Sequence, residues 1–272
     1  MLENWGTMTR AERDAAYNNL AAVANSQSLV AERNTASAVF RSAHAAHLDV
    51  PYADGERLKW DLYPAHESSA PCLVFIHGGY WMLNRREDFA IFAEGFTASG
   101  WAVALPGYAL APEVTLTEIV AQLRAALDWL ATHGAEQGIA GKIVISGWSA
   151  GGHLAALLLD HPAVAAGLAI SGIFELGPLR DTYLNAKLKL SDAEIAELSP
   201  LRRPVVQKPL AIAYGSKELP ALVADSRTLH EYRAAAHAPG PLIPVAGADH
   251  FTILEELRSS QGSLVRVMPS LL

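Results

Sequence analysis

Short apolar runs alternate with amphipathic segments between residues 50 and 172. The runs at 72–76 and 142–146 are apolar almost throughout, which is typical of strands buried on both faces of a parallel sheet. Between them, one face of a helical pattern is apolar: Leu116, Ile119, Val120, Leu123, Leu127 and Leu130. Strands that alternate with such helices predict an α/β fold, with a doubly wound, mostly parallel sheet and helices on both faces.

The pattern changes on either side of this region. Residues 1–48 are rich in alanine and are predicted to form an N-terminal helical segment. Residues 173–207 interrupt the alternation, and we expect a small helical cap there, because such an insertion would lie over the carboxyl ends of the strands where ligands bind. Capping boxes indicate helix starts at Thr9, Thr115 and Ser191. The alternation then resumes and closes with a predicted helix at 251–259, so we predict a single domain over 1–272.

A serine follows the run at 142–146 in the motif Gly-Trp-Ser-Ala-Gly, residues 147–151, and a helix of small residues comes next. A strand, a tight turn and a helix in this order hold the serine hydroxyl clear of the sheet. Glycines are needed where neighbouring backbones pass too closely for a Cβ. The motif alone is weak, but its position between strand and helix makes Ser149 the candidate nucleophile.

A second motif, His-Gly-Gly-Tyr-Trp, follows the run at 72–76. Two adjacent glycines after a buried strand allow backbone N–H groups to turn toward one point, where they can stabilise the oxyanion of an acyl-transfer reaction. We predict that Gly78, Gly79 and Ala150 donate these N–H groups. His77 is expected to fix the glycine turn by hydrogen bonds. The two motifs together predict an acyl-transfer hydrolase.

The other members of a catalytic triad are expected after two later apolar runs. In hydrolases built on such sheets the order along the chain is serine, acid, histidine. We therefore predict that His250 moves the proton and that Glu218 orients its imidazole. Two acids compete with Glu218. Asp225 lies in a helical pattern and is expected to face solvent, and Asp249 is too close in sequence to reach the Nδ1 of its neighbour.

Several aromatic side chains adjoin these motifs. Small-molecule sites are concave and mostly apolar. We predict that Tyr80, Trp81, Trp148 and Phe251 contact the substrate, although simple packing would account for some of these rings. His153, one turn after the serine, is expected to be structural.

The sequence provides little evidence for a metal site or a reactive thiol. His44 and His47 are spaced like metal ligands, with Asp49 nearby, but no third ligand follows at a suitable spacing. We therefore expect no metal, and the predicted chemistry needs no organic cofactor. The one cysteine, Cys72, excludes an intramolecular disulfide and is expected to be a core residue.

The composition and charge of the chain limit the kinds of partner that we expect. A net charge of −7 argues against nucleic acid, which requires a basic face, and leaves no basic patch for an anionic membrane. The apolar stretch at 163–174 is too short to span a bilayer and is predicted to form a buried parallel strand, and residues 1–5 lack the pattern of a signal peptide. We expect a cytoplasmic enzyme with a small-molecule substrate and no nucleic-acid or membrane partner, with a homodimer as one option for its assembly.

These motifs resemble the kynurenine formamidase (arylformamidase) branch of the α/β-hydrolases. The likeness covers residues 49–255 and rests on 77–81, on 147–154, and on the late acid and histidine. Other similar segments are 49–56, 61–64, 108–112, and 172–176 through 199–200. Hormone-sensitive-lipase-like esterases share the glycine motifs, so Tyr80, Trp81, His153 and the cap segment favour the formamidases. Two departures are Met82, where the formamidases often carry Gln, and Glu218, which replaces their usual Asp.

The resemblance implies a serine hydrolase that cleaves a small amide, formamide or ester through an acyl-enzyme. An aryl formamide such as N-formylkynurenine, formed in tryptophan catabolism, would be its substrate. A carboxylesterase of the hormone-sensitive-lipase-like group would use the same triad and is the main alternative. A non-catalytic binding protein would be expected to have lost the serine, the histidine or the glycine pair, and the sequence contains all of them.

Overall fold

The computed structural model describes residues 5–272. The predictions for residues 1–4, which concern a signal peptide and the start of the helical segment, lie outside the described residues. In the described chain one sheet of eight strands has the order β1-β2-β4-β3-β5-β6-β7-β8. The strands are β1 (His47–Pro51), β2 (Lys59–Tyr63), β3 (Cys72–Ile76), β4 (Ala102–Pro106), β5 (Ile143–Trp148), β6 (Val164–Ile170), β7 (Leu210–Gly215) and β8 (Leu242–Val245).

Helices flank this sheet. The α-helices are α1 (Arg10–Ala15), α2 (Asn19–Ala22), α3 (Ser26–Ala43), α4 (Glu94–Ala98), α5 (Leu116–His133), α6 (Ala150–Leu158), α7 (Asn185–Leu188), α8 (Asp192–Leu198), α9 (Pro220–Ala235) and α10 (Ser263–Arg266). Short 3₁₀ helices cover Trp5–Thr7, Arg86–Ala93, Gly134–Gln137, Gly177–Asp181, Pro200–Arg202, Thr252–Leu257 and Met268–Leu271. The three predicted capping boxes are present at Thr9, Thr115 and Ser191.

The sheet is mostly parallel, as predicted. The strands β4, β3, β5, β6, β7 and β8 run parallel to one another, whereas β2 is antiparallel to both of its neighbours, β1 and β4. Successive side chains of a strand point to opposite faces, so Val74 and Ile76 join one core cluster while Leu73 and Phe75 join the other. Helices cover both clusters, and the apolar face predicted for α5 is buried. The predicted α/β fold is therefore confirmed.

Some boundaries differ from the sequence predictions. The predicted helix at 251–259 is a 3₁₀ helix over Thr252–Leu257, and the apolar stretch at 163–174 forms a strand only as far as Ile170. The segment 173–207 contains α7, α8 and two 3₁₀ helices. In the described chain, no helix is both long and apolar enough to cross a membrane.

The topology brings the predicted site residues to one edge of the sheet. Parallel strands all end at the same edge, and each of four strands is followed there by a predicted residue. Gly78 follows β3, Ser149 follows β5, Glu218 follows β7 and His250 follows β8.

Candidate active site

Ser149 lies in a sharp turn between β5 and α6. Its φ of 58° and ψ of −120° are unusual for a residue with a side chain. A Cβ on Gly147 would come 2.2 Å from the Gly151 carbonyl oxygen, and one on Gly151 would come 2.0 Å from the Ile76 oxygen. No other residue type fits at these two positions, which is the role predicted for the glycines of the motif.

The glycine pair after β3 passes directly beside this turn. A Cβ on Gly78 would lie 3.0 Å from the Ser149 Cβ, and Gly79 has a φ of +117°, which favours glycine. Within residues 5–272 the backbone N–H groups of Gly78, Gly79 and Ala150 have no hydrogen-bond partner. Three donors on the two segments next to the serine are thus available to an oxyanion.

His77 and Asn84 fix the orientation of this loop. The His77 Nδ1 donates to the Gly78 carbonyl at 2.9 Å, and the Asn84 Nδ2 donates to the same oxygen at 3.1 Å. In a trans peptide the carbonyl and the next N–H point in opposite directions, so the two side chains also set the direction of the Gly79 N–H. Burial lowers the pKa of His77 to about 3, so its ring is neutral. The predicted role of His77 agrees with this contact, whereas no motif in the sequence pointed to Asn84.

His250 pairs with Glu218 and lines the same cavity as Ser149. The His250 Nδ1 lies 3.0 Å from the Glu218 Oε2. A carboxylate only accepts, so this contact places the imidazole proton on Nδ1 and leaves Nε2 as an acceptor. The Glu218 Oε1 accepts from the Ser171 hydroxyl at 2.5 Å and from the Gly215 N–H at 2.6 Å. Ser171, which follows β6, was not predicted from the sequence.

Two contacts connect the histidine loop to the acid loop and to the nucleophile turn. The Lys217 N–H donates to the Ala248 carbonyl at 2.9 Å. The Trp148 Nε1 donates to the His250 carbonyl at 2.7 Å, and the two rings lie 4.7 Å apart. Trp148 comes directly before Ser149, so this bond connects the nucleophile turn to the histidine.

The two competing acids have other roles. The Asp249 Oδ1 accepts from the Phe251 and Thr252 N–H groups at 2.9 Å, which turns it away from His250. The expectation that Asp225 faces solvent is wrong. Asp225 is 1% exposed and accepts from the Phe174 N–H at 2.8 Å. Burial raises its pKa to about 6.

A cavity of about 540 Å³ lies in front of the serine, a size typical of small-molecule sites. Three of the four predicted aromatic residues line it, Tyr80, Trp148 and Phe251. Trp81 does not reach it, because its ring is fully buried and packs edge-on against His153 at 5.0 Å. The predicted substrate contact of Trp81 is thus not found, whereas the structural role expected of His153 agrees with its bond to the Leu198 carbonyl at 2.7 Å.

Helices from the N-terminal segment and the 173–207 segment close the cavity. The lining residues from these two regions are Asn18, Asn19, Leu20, Val30, Arg33, Tyr183, Leu184, Ala186 and Lys187. Tyr80 fastens the first region to the glycine loop: its hydroxyl donates to the Tyr17 carbonyl and accepts from the Asn19 Nδ2 at 2.9 Å. The contribution of the N-terminal helices was not predicted in residue detail, because it depends on contacts about sixty residues apart in the chain.

The residues considered for metal or thiol chemistry have ordinary partners. His44 bonds the Phe40 carbonyl, and His47 bonds the Gln137 side chain. In the part of the chain that the structure describes, no group of three or more His, Cys, Asp or Glu side chains could hold a metal. Cys72 is fully buried, which raises its pKa to about 12, so its thiol is not poised to react.

Known proteins are similar to this chain in sequence and structure. The family model BD-FAE matches residues 60–161. Kynurenine formamidase of Danio rerio is 28% identical, over 84% of this chain and 82% of that protein. A protein from Silicibacter sp., provisionally named a thioesterase, is 30% identical in sequence. Its crystal structure has a TM-score of 0.85 and covers 95% of this chain and 99% of its own.

More distant structures share the fold. An esterase from Mycobacterium marinum has a TM-score of 0.75 at 19% identity, over 92% of this chain and 90% of its own. Together with the serine turn, the glycine loop and the acid–histidine pair on one sheet edge, these similarities decide the family. The chain belongs to the α/β-hydrolases, on the kynurenine formamidase-like branch related to the hormone-sensitive-lipase-like esterases, and it is a serine hydrolase.

Proposed function

We propose that the protein is an arylformamidase, which removes the formyl group from an aromatic amine such as N-formylkynurenine. The observation that carries the proposal is the set of free N–H groups of Gly78, Gly79 and Ala150 on the segments next to Ser149, which itself lines a cavity with aromatic side chains in its wall. Relatives named kynurenine formamidase in Danio rerio, Salmo salar and Drosophila melanogaster support the choice of substrate.

In the proposed first half-reaction the Ser149 hydroxyl oxygen attacks the formyl carbon and its proton passes to the Nε2 of His250. The carbonyl oxygen becomes an oxyanion, which the N–H groups of Gly78, Gly79 and Ala150 stabilise. The carbon–nitrogen bond then breaks, and His250 returns its proton to the leaving amine. A formyl ester remains on the serine oxygen.

In the second half-reaction water replaces the amine. His250 takes a proton from the water, whose oxygen attacks the formyl ester, and returns that proton to the serine oxygen as the ester bond breaks. The products are formate and the free enzyme. Glu218 keeps the imidazole in the tautomer that both halves need, and neither half requires a metal or an organic cofactor.

The competing proposal is a carboxylesterase with the same triad. It is favoured by relatives named for ester chemistry, such as a lipase of Moraxella sp. that is 34% identical over 51% of this chain and 31% of that protein. The two proposals differ in the acyl group. A formamidase needs little room for the acyl part and a wide slot for the aromatic amine, and an esterase for longer acids needs the reverse.

A substrate series tests the choice. We expect kcat/KM to be highest for N-formylkynurenine and to fall steeply from phenyl acetate to phenyl butyrate and phenyl octanoate. Each methylene that does not fit should cost about 1–3 kcal/mol in transition-state binding. Rates that rise toward the octanoate, with no hydrolysis of the formamide, would establish the carboxylesterase instead.

Several further predictions from the sequence are part of this proposal. The cap at 173–207 and the N-terminal segment would shape the cavity of one domain that spans residues 1–272. A cytoplasmic location, a role in tryptophan catabolism and a homodimer stay predictions, and cell fractionation and light scattering would test the first and the last.

A further inference from the structure

Arg33 on α3 is a buried cation in the wall of the active-site cavity. Its side chain lines the cavity, and the residue is only 9% exposed. Its hydrogen-bond partners are two neutral amides: Asn34 accepts from Nη2 at 2.8 Å, and Asn84 accepts from Nη2 at 3.4 Å. The guanidinium carbon lies 4.1 Å from the centre of the Phe89 ring.

This charge has no counter-ion. Among the described residues no carboxylate comes within ion-pair distance of Arg33, and its Nη1 has no hydrogen-bond partner. The charge of Asp88 acts on Arg33 from beyond ion-pair distance, because this carboxylate lies 3.5 Å from Arg85 instead. Burial without a partner lowers the pKa of Arg33 to about 10, which still leaves it charged at neutral pH. A buried, unpaired charge is costly, so its presence in a cavity wall points to an anion that binds there.

The charged side chains that line the cavity are positive, whereas the chain as a whole is negative. The chain as a whole carries a net charge of −7. Yet the charged side chains that line the cavity are Arg33 and the exposed Lys187, and no Asp or Glu is among the described lining residues. A cleft lined by one sign of charge concentrates ligands of the opposite sign.

Asn84 and Phe89 connect Arg33 to the segments that hold the reacting groups. Asn84 accepts from Arg33 with its Oδ1 and donates to the Gly78 carbonyl with its Nδ2 at 3.1 Å. Phe89, under the guanidinium, lies 5.8 Å from the ring of Trp148, which precedes the serine. Arg33 and Ser149 line the same cavity, so a substrate bound at Ser149 can extend toward the guanidinium.

We propose that Arg33 forms an anion subsite that binds a carboxylate on the leaving-amine part of the substrate. The inference rests on the proposed function, because a formyl group has no carboxylate of its own and the anion must then belong to the amine. The Nη1 and Nη2 of Arg33 would donate to the carboxylate, with Lys187 as a more exposed second cation. Arginine suits this task since its planar group binds carboxylates through two parallel hydrogen bonds.

A matched pair of substrates tests the subsite. Both are aryl formamides with a ketone side chain ortho to the formamide; in one the side chain ends in a carboxylate and in the other in a methyl group. The measured quantity is the ratio of their kcat/KM values. We expect the wild type to favour the carboxylate by about 10- to 100-fold. Arg33→Met should remove most of this preference, and Arg33→Lys should keep part of it.

The ratio separates binding of the anion from other effects of the mutation. A loss of Asn84 orientation would slow both substrates together and leave the ratio unchanged. Lys187→Met is the matched control, because it removes an exposed cation from the same cavity and should reduce the ratio much less. The proposal is overturned if the ratio of Arg33→Met equals that of the wild type, or if Lys187→Met lowers it more.

A binding measurement keeps this test independent of the formamidase proposal. The two deformylated amines can be titrated into wild type and Arg33→Met by calorimetry, which requires no turnover. Tighter binding of the carboxylate amine to the wild type alone would support the subsite even if no formamide were hydrolysed. Equal binding of both amines to the wild type would overturn it. The circular dichroism spectrum of Arg33→Met should match the wild type, since replacing an unpaired buried charge by an apolar side chain is often neutral.

Discussion

Glu218 uses the extra methylene that distinguishes it from aspartate. One oxygen reaches His250, while the other accepts from Ser171 and Gly215, at 2.5 and 2.6 Å. These three bonds fix the plane of the carboxylate and thereby the plane of the imidazole. The length of the side chain is therefore part of the geometry, and the replacement of the usual Asp changes reach rather than chemistry.

The first prediction concerns this acid. Glu218→Gln preserves the shape of the site, but the amide nitrogen favours the wrong tautomer of His250. We expect kcat to fall about a thousand- to ten-thousandfold in steady-state kinetics. The matched control is Asp249→Asn, which alters an acid next to the histidine that points away from it and should keep most of the activity. A larger loss in Asp249→Asn than in Glu218→Gln would contradict the assignment.

The 173–207 segment is held at its start by helix α9, and its end is bonded to its start. At its start, the carboxylate of Asp225 on α9 accepts from the Phe174 N–H. The end is joined to the start, because the Leu201 N–H donates to the Phe174 carbonyl at 3.1 Å and Arg202 pairs with Glu175 at 2.7 Å. Asp225 thus acts on the element that covers the cavity and not on the histidine.

The second prediction follows from this attachment. Asp225→Ala leaves the buried Phe174 and Glu175 N–H groups without an acceptor, so the free energy of unfolding should fall by about 1–3 kcal/mol in urea titrations. The kcat of the folded variant should change little. Glu231→Ala, which removes an exposed carboxylate from the same helix, should change neither quantity. If Asp225→Ala lost as much kcat as Glu218→Gln and its free energy of unfolding were unchanged, Asp225 and not Glu218 would be the triad acid.

The sequence predicted the elements whose pattern is local. β3 agrees with the apolar run at 72–76 residue for residue, and the three capping boxes mark real helix starts. The burial of Asp225 could not be predicted because α9 buries polar side chains as well as leucines. The hydrophobic periodicity of such a helix does not reveal its inner face.

Other features depend on contacts between distant segments. Trp81 follows the glycine pair in sequence, yet its backbone has a φ of 58° and its ring packs in the core and not in the cavity. The bond from Tyr80 to Tyr17 and the charge of Arg33 in the cavity wall likewise arise only when helices α1 to α3 fold over the sheet edge.

Buried histidines make the free energy of unfolding of the molecule depend on pH. Burial lowers the pKa of His153 to about 4 and that of His77 to about 3, below the ordinary value of 6.5. Between pH 6.5 and 4 the unfolded chain therefore binds more protons at these positions than the folded chain, and the free energy of unfolding falls as the pH falls. Asp225 acts in the opposite sense, because its pKa is raised from 3.8 to about 6 and the folded chain holds its proton more firmly.

The third prediction isolates one of these groups. His153→Gln retains a donor for the Leu198 carbonyl but cannot take up a proton. The variant should be less stable than the wild type at pH 7, and the difference in the free energy of unfolding should narrow by about 2 kcal/mol at pH 5. Urea titrations of both proteins at pH 7 and pH 5 measure this difference.

Leu198→Ala provides the control for this comparison. It destabilises the same contact region without removing a titrating group, so its difference from the wild type should be the same at pH 7 and pH 5. If the difference in the free energy of unfolding between His153→Gln and the wild type also stayed constant between the two pH values, the claim that burial keeps His153 neutral would be wrong.

The most direct test of the central claim compares wild type and Ser149→Ala on N-formylkynurenine. The variant lacks only the hydroxyl that is proposed to form the acyl-enzyme, so its circular dichroism spectrum should match the wild type. We predict measurable formamide hydrolysis by the wild type and a loss of kcat in the variant of roughly a millionfold, as for triad removals in serine proteases. A wild type without formamidase activity, or a variant that retains more than about a hundredth of it, would contradict the account.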